Sequence, residues 1–140
     1  MTSKDFDIHG SFSITREDNI LIVHAEGPGN IELAEEYHTQ MKAQVTVLKD
    51  KPWATLNIFS RESFFPPDAS QALIEGAKRA KDIGFVACAF IVNAEQYQNS
   101  MKSFWEMIYV CAGVTYKFFE DETEAMAWLK ERLIIANANN

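Results

Sequence analysis

The sequence lacks the features of membrane-spanning and disulfide-bonded proteins. Its longest apolar run, Phe85 to Val92, is eight residues, whereas about 20 are needed to cross a bilayer. The first residues lack the apolar stretch of a signal peptide. The two cysteines, Cys88 and Cys111, lie in apolar segments without Cys-x-x-Cys spacing, so we expect buried free thiols, as in a reducing compartment. These absences predict a cytoplasmic protein with no integral membrane segment.

Positive charge is also scarce. The chain has 13 Lys and Arg against 20 Asp and Glu, a formal net charge of −7. Binding to nucleic acid depends on basic residues that neutralise phosphates, and anionic membrane surfaces repel such a chain in the same way. We therefore expect no nucleic-acid partner. One basic cluster, Lys78–Lys81, is predicted on the outer side of a helix.

Motifs for catalysis, cofactors and metals are missing. The stretch from Gly27 to Asn30 lies between a strand and a helix, where phosphate-binding loops also lie, but it has neither G-x-G-x-x-G nor G-K-[ST]. We interpret it as a turn followed by a helix cap. His24 and His38 have acidic neighbours at close spacing, yet no third metal ligand is placed and H-E-x-x-H is absent. The sequence predicts no catalytic residue, no metal and no cofactor.

What the chain does have is a regular alternation of strand and helix patterns. With 47% apolar and 12% aromatic residues, one domain over residues 1–140 is expected, frayed at 1–9 and 136–140. Period-two and fully apolar segments predict strands, and 3.6-residue stripes predict helices. The resulting order, β-β-α-β-α-β-α-β-α, indicates a single α/β domain with a mixed, mostly parallel sheet and helices packed on it.

Helix boundaries are predicted from capping residues. Asn30 should cap the first helix, and Asp68 with Gln71 has the spacing of a capping box for the second. The third helix is predicted over Glu95–Ala112, with Tyr97 on its buried stripe.

Several short segments resemble a known family. They are Gly27-Pro28 with the acidic helix after it, Lys51-Pro52-Trp53 at the start of a strand, Gly84 before the apolar strand, and the final Phe118–Leu129 segment. Together with the element order they resemble the SpoIIAA-like family of the STAS superfamily, the fold of anti-sigma-factor antagonists. The resemblance implies a non-enzymatic bacterial binding module that switches partners or carries a small ligand. It also implies helices mostly on one sheet face, and hence a homodimer that covers the other.

The phosphate-acceptor motif of that family is altered here. In the phospho-switched antagonists, a serine at the start of the second helix follows Asp and precedes Gly. This chain has Asp68-Ala69-Ser70-Gln71. We therefore favour the alternative in which Ser70 hydrogen-bonds the helix end.

The loop Phe64-Phe65-Pro66-Pro67 has two interpretations. Either one phenylalanine fills the core and the other covers a helix end, or the pair forms a ligand mouth or a partner-docking patch. The loop should emerge at the C-terminal edge of the sheet, where open α/β sheets place ligands.

The leading hypothesis is a module that docks a protein partner or a small apolar ligand through loops at that edge. The residues predicted to bind are Gly27, Pro28, Asn30, Phe64, Phe65, Pro66, Asp68 and Ser70. The alternative is a lipid or hydrophobic-metabolite carrier with an enclosed pocket lined by Phe65, Trp105 and Tyr109. A small hydrolase or transferase is a third possibility.

Overall fold

The structure is a computed structural model that describes residues 10–48, 51–61, 63, 65–94 and 96–138. Within these residues five strands and four helices follow the predicted order, β-β-α-β-α-β-α-β-α, which is confirmed. The elements are β1 Ser11–Glu17, β2 Ile20–Glu26, α1 Ile31–Leu48, β3 Trp53–Ser60, α2 Pro67–Asp82, β4 Phe85–Asn93, α3 Gln98–Ala112, β5 Tyr116–Phe119 and α4 Glu122–Ala138.

The strands form one sheet in sequential order, β1-β2-β3-β4-β5. β1 and β2 pair antiparallel through a tight turn at Asp18 and Asn19, and the other neighbours pair parallel. Each parallel pair is joined through a helix, as the alternating pattern predicted. The mixed, mostly parallel sheet is confirmed.

The central strand, β3, divides the core between the two faces of the sheet. Alternate side chains of a strand point to opposite faces. Trp53 and Phe59 belong to the larger core, together with buried residues of α1, α2 and α3. Leu56 and Ile58 point the other way, into a smaller core closed by α4.

The smaller core contradicts the assumption on which the predicted homodimer was based. That expectation assumed that the second face of the strand at 85–92 would be uncovered. Instead, Ala125 and Leu129 of α4 lie fully buried against that face. Small side chains in the sheet, including Ala87 and Ala89, allow the helix to approach closely. The chain therefore covers this face by itself.

A cluster of aromatic rings fixes α3 against the larger-core face. Phe90 of β4 is fully buried. Its ring centroid lies 5.0 Å from that of Tyr109, 5.2 Å from Phe118 and 5.7 Å from Phe59. Trp105 stacks on Phe59 at 4.6 Å, and its indole Nε1 donates to the Ser63 carbonyl at 3.0 Å. These contacts connect α3, the three strands β3, β4 and β5, and the loop after β3.

The ends of the first two helices test the capping predictions. Asn30 is confirmed as the cap of α1, because its Oδ1 accepts the Leu33 amide at 2.8 Å. The capping box at the second helix is wrong. α2 begins at Pro67, so Asp68 lies inside the first turn and accepts the Ala69 amide. Proline is well suited to this position, since it has no amide hydrogen to leave unpaired.

The third helix begins later than predicted. Tyr97 adopts left-handed backbone angles, with φ of +62°, and α3 starts only at Gln98. Tyr97 is consequently 59% exposed, so its predicted burial is wrong. The predicted burial of Cys111, near the end of the same helix, is also wrong, because this thiol is exposed. Glu95, where the helix was expected to begin, lies outside the described residues. At the C-terminus α4 continues through Ala138. The fraying expected for 1–9 and at 139–140 falls outside the described residues.

Candidate functional site

A cavity of about 500 Å³ lies between α1, α2 and the larger-core face of the sheet. It runs along the whole of β3, whose four side chains on this face, Trp53, Thr55, Asn57 and Phe59, all line it. Most of the remaining wall is apolar. The apolar lining residues from the other elements include Phe12, Val23, Ala25, Leu33, Met41, Val45, Phe65, Leu73, Ala77, Phe85 and Trp105.

Polar groups meet at the floor of this cavity. Thr55 and Asn57 are 1% and 3% exposed. The Cys88 thiol, on the neighbouring strand, donates to Oδ1 of Asn57 at 3.6 Å. Thr55 Oγ1 lies close to the same thiol but has no hydrogen-bond partner of acceptable geometry among the described residues. A buried polar atom without a partner is uncommon and costly, so this hydroxyl is free to bond a ligand.

The titratable groups around the floor are held in their protonated, neutral forms. Burial raises the pKa of the Cys88 thiol to about 12. Burial also raises the pKa values of Tyr37 and Tyr109 well above the ordinary value for tyrosine. A protonated thiol is a poor nucleophile. The floor therefore offers neutral hydrogen-bonding groups and no thiolate.

His38 lies on α1 at the outer part of the cavity. Gly76 on α2 provides the space for its ring, because a Cβ at Gly76 would lie 2.1 Å from His38 Nε2. The Tyr37 ring is 5.6 Å away. Burial lowers the pKa of His38 to about 4, and the neighbouring Arg79 charge adds to that effect. The imidazole is therefore neutral at physiological pH.

His38 should make stability depend on pH. Between about pH 6.5 and pH 4 the unfolded chain binds a proton at this position and the folded chain does not. Stability due to this group is therefore complete above pH 6.5 and falls as the pH drops towards 4, by on the order of 2 kcal/mol. Urea unfolding at pH 7.0 and 4.5 should show a smaller loss in His38→Gln than in the wild type. The exposed His24→Gln is the control, and an identical loss in all three proteins would refute this role.

The exposed lining residues mark the mouth of the cavity. Among the described lining residues, four are exposed: Thr39 and Lys42 on α1, Arg79 on α2, and Ile83 just after α2. The cavity thus opens between α1 and α2. This differs from the loop edge of the sheet, where sequence reasoning placed the binding surface.

Phe65 is the predicted site residue that the structure places at the cavity. Its ring lies edge-on against Trp105, with centroids 5.8 Å apart, and both rings line the cavity together with Tyr109. It also meets the predicted turn, since a Cβ at Gly29 would lie 2.1 Å from the Phe65 ring. The two predicted loops therefore do come together. Phe64 lies outside the described residues.

The other predicted site residues serve the loops and helix ends and are not cavity-lining residues. Gly27 adopts a positive φ of +80° and donates its amide to the Ser60 carbonyl at 3.2 Å. Ser70 Oγ donates to the Pro66 carbonyl at 3.2 Å, the helix-end bond that the sequence favoured. Those outside the cavity are Gly27, Pro28, Asn30, Pro66, Asp68 and Ser70.

Sequence reasoning missed Thr55 and Asn57. A signal was present: two polar residues at positions i and i+2 interrupt an otherwise apolar strand and so share one face. In a strand buried on both sides, such a pair requires internal partners or a ligand. Tyr37 was likewise treated as an ordinary helix residue, and His38 was considered as a metal ligand and set aside.

Two other kinds of site are not found in the part of the chain that the structure describes. It contains no group of three or more His, Cys, Asp or Glu side chains placed to hold a metal ion. Nor is any of its helices sufficiently long and apolar to cross a membrane.

Comparison with known proteins identifies the fold. No family model and no curated protein matches the sequence. Among solved structures, an uncharacterised protein of the DUF3478 family with a SpoIIAA-like fold, from Shewanella loihica PV-4, is similar with a TM-score of 0.56 and 17% identity. The match covers 86% of this chain and 94% of that one. An anti-sigma factor antagonist from Mycobacterium paratuberculosis matches over the same shares, with a TM-score of 0.49 and 14% identity. At such low identity only the fold is transferable, and the first similarity, taken with the strand order and helix placement described above, means that this chain has a SpoIIAA-like fold.

Proposed function

We propose that this protein binds a small, predominantly apolar ligand in the cavity between α1, α2 and β3, without chemically transforming it. The carrier alternative raised from the sequence is the one that the geometry supports best. A single observation supports it: an apolar cavity of about 500 Å³ that ends on the unpartnered hydroxyl of Thr55. Ligand pockets have this size and this mixture of apolar walls and few polar groups.

The cavity is unusual for a core of this size. Protein interiors are close-packed, and voids much larger than a water molecule are few because the surrounding atoms lose contacts. Here the void is surrounded by aromatic rings that are themselves well packed, such as Trp53 stacked on Phe85 at 4.8 Å. The walls are thus held apart by their own packing, as expected of a preformed binding site.

The polar floor indicates what the ligand must carry at its inner end. Thr55 Oγ1 can donate one hydrogen bond and accept others. Asn57 already accepts from Cys88 through its Oδ1. A ligand with a hydroxyl or carbonyl oxygen at its inner end would satisfy Thr55, whereas a pure hydrocarbon would leave it unpaired.

Docking of a protein partner through the Phe64–Ser70 loop receives less support. That hypothesis needed exposed aromatic side chains, but the Phe65 ring lies against Trp105 and lines the cavity. The loop would then act as one end of the ligand site. A partner could still respond to whether the cavity is filled, which would make the protein a sensor.

Thr55→Val tests the role of the floor. Valine has nearly the same shape and no hydroxyl, so ligand-free protein should gain about 1 kcal/mol in unfolding free energy from removal of an unpaired buried polar atom. Affinity for 1-decanol, a neutral probe with one hydroxyl, should fall about tenfold because that hydrogen bond is lost. Urea denaturation and titration calorimetry measure the two quantities.

Thr46→Val is the matched control, since its hydroxyl is exposed and bonds the Lys42 carbonyl within α1. It should leave decanol affinity unchanged. Wild-type protein that neither binds 1-decanol nor carries a co-purified apolar molecule in native mass spectrometry would show that the proposed function is wrong.

A further inference from the structure

The chemistry of the cavity mouth differs from that of its interior. All four exposed lining residues belong to α1, α2 and the turn after α2, and two of them are the cations Lys42 and Arg79. No aspartate or glutamate is among the described residues that line the cavity. In a chain with net charge −7, the charged residues that line the entrance are thus both positive.

Neither of these two cations forms an ion pair with a carboxylate in the described ranges. The ion pairs there involve other basic residues, for example Arg61 with Glu26 at 3.1 Å and Lys78 with Glu75 at 3.9 Å. Lys42 and Arg79 form neither ion pairs nor side-chain hydrogen bonds with any residue that the structure describes. Their positive groups are therefore available to a ligand.

We propose that the ligand is an amphipathic anion whose carboxylate or phosphate lies between Lys42 and Arg79 while its apolar body fills the cavity. The inference rests on the proposed function and specifies its ligand class. Arg79 supplies a planar fork of donors suited to two oxygens of such a group, and Lys42 supplies a second charge from the facing helix.

The neighbouring groups are compatible with an anion at this position. Besides the two cations, the described residues that line the cavity at its mouth are His38 and Thr39 of α1 and Ile83 just after α2. His38 is neutral or, at low pH, positive, and Thr39 carries a hydroxyl. None of them would repel a carboxylate or phosphate. The apolar Ile83 can cover the first methylene groups of the ligand as they enter the cavity.

Three ten-carbon probes test the proposal: 1-decanol, 10-hydroxydecanoate and 10-hydroxydecyl phosphate. Each carries a terminal hydroxyl for Thr55, and only the last two carry an anionic group at the other end. Titration calorimetry at low ionic strength should show that at least one anion binds about tenfold more tightly than the alcohol, with the advantage reduced by added salt. The double variant Lys42→Gln, Arg79→Gln should lose this preference and bind the anion and the alcohol with equal affinity.

Lys78→Gln provides the control, because Lys78 lies on the same helix, is exposed and is not a cavity-lining residue. It removes one unit of charge and should retain the anion preference; Arg79→Gln alone gives the matched single comparison. A preference for 10-hydroxydecanoate or for 10-hydroxydecyl phosphate identifies the acid group.

The outcomes separate the two proposals. Binding of 1-decanol with no advantage for either anion would overturn the anion assignment and leave the proposed function standing. An anion preference that persists in the double variant would overturn the placement at Lys42 and Arg79. Failure of all three probes to bind would refute the proposed function itself.

Discussion

Replacement of Phe90 by alanine is expected to lower the free energy of unfolding by about 4 kcal/mol. The side chain is fully buried and its ring contacts those of Tyr109, Phe118 and Phe59. Removing it leaves a void that these rigid rings cannot fill without losing their own contacts, so the cost includes both lost burial and the cavity. Urea denaturation followed by tryptophan fluorescence measures the change.

The same substitution should weaken ligand binding, because Phe90 supports two rings that line the cavity. Trp105 and Tyr109 both contact it, and either ring can turn into the space that alanine leaves. Val110→Ala, on the exposed side of α3, is the control and should change stability by no more than about 0.5 kcal/mol. If Phe90→Ala and Val110→Ala lowered the free energy of unfolding by similar amounts, the aromatic cluster would not be what holds α3 against the sheet.

Leu129→Ala should destabilise the protein by about 3 kcal/mol, the second large effect. Leu129 is fully buried between α4 and the second face of the sheet. With Ala125 it is one of two fully buried contacts through which α4 covers this face. Loss of that contact should also expose apolar strand residues, so the variant should associate at high concentration. Chemical denaturation and light scattering report the two effects.

Ile134→Ala is the matched control on the same helix, since Ile134 is 69% exposed. Its effect on stability should be close to zero. If Ile134→Ala instead lowered stability more than Leu129→Ala, the exposed side of α4 would have to be covered by another molecule in solution. That result would support a homodimer formed through α4.

Element order and the mixed, mostly parallel pairing were predictable from the sequence because periodicity and connection rules are local. Alternation at Phe12 and Ile14, the unbroken apolar run in β4, and the helical connections together indicate such a sheet, but they do not determine the order of its strands. The position of α4 was not predictable. Its stripe of Ala125 and Leu129 indicates a buried side but does not say which face of the sheet it covers.

The candidate site was predictable only in part. Phe65, Trp105 and Tyr109 were proposed together as pocket residues, and the structure does bring them to one cavity. The mouth was not predicted, because facing positions on two helices, such as Lys42 and Arg79, depend on how the helices pack. The late start of α3 was missed for a similar reason: nothing in local propensity favours a left-handed Tyr97.

The two faces of the sheet differ in how completely their space is used. The α4 face is filled by alanine and leucine contacts, whereas the α1–α2 face leaves a cavity that opens between these two helices. Unfolding eliminates the part of this volume that water does not fill, so hydrostatic pressure favours the unfolded chain. The side of the sheet that includes Thr55 is therefore the more compressible one. A ligand bound in the cavity should reduce that compressibility.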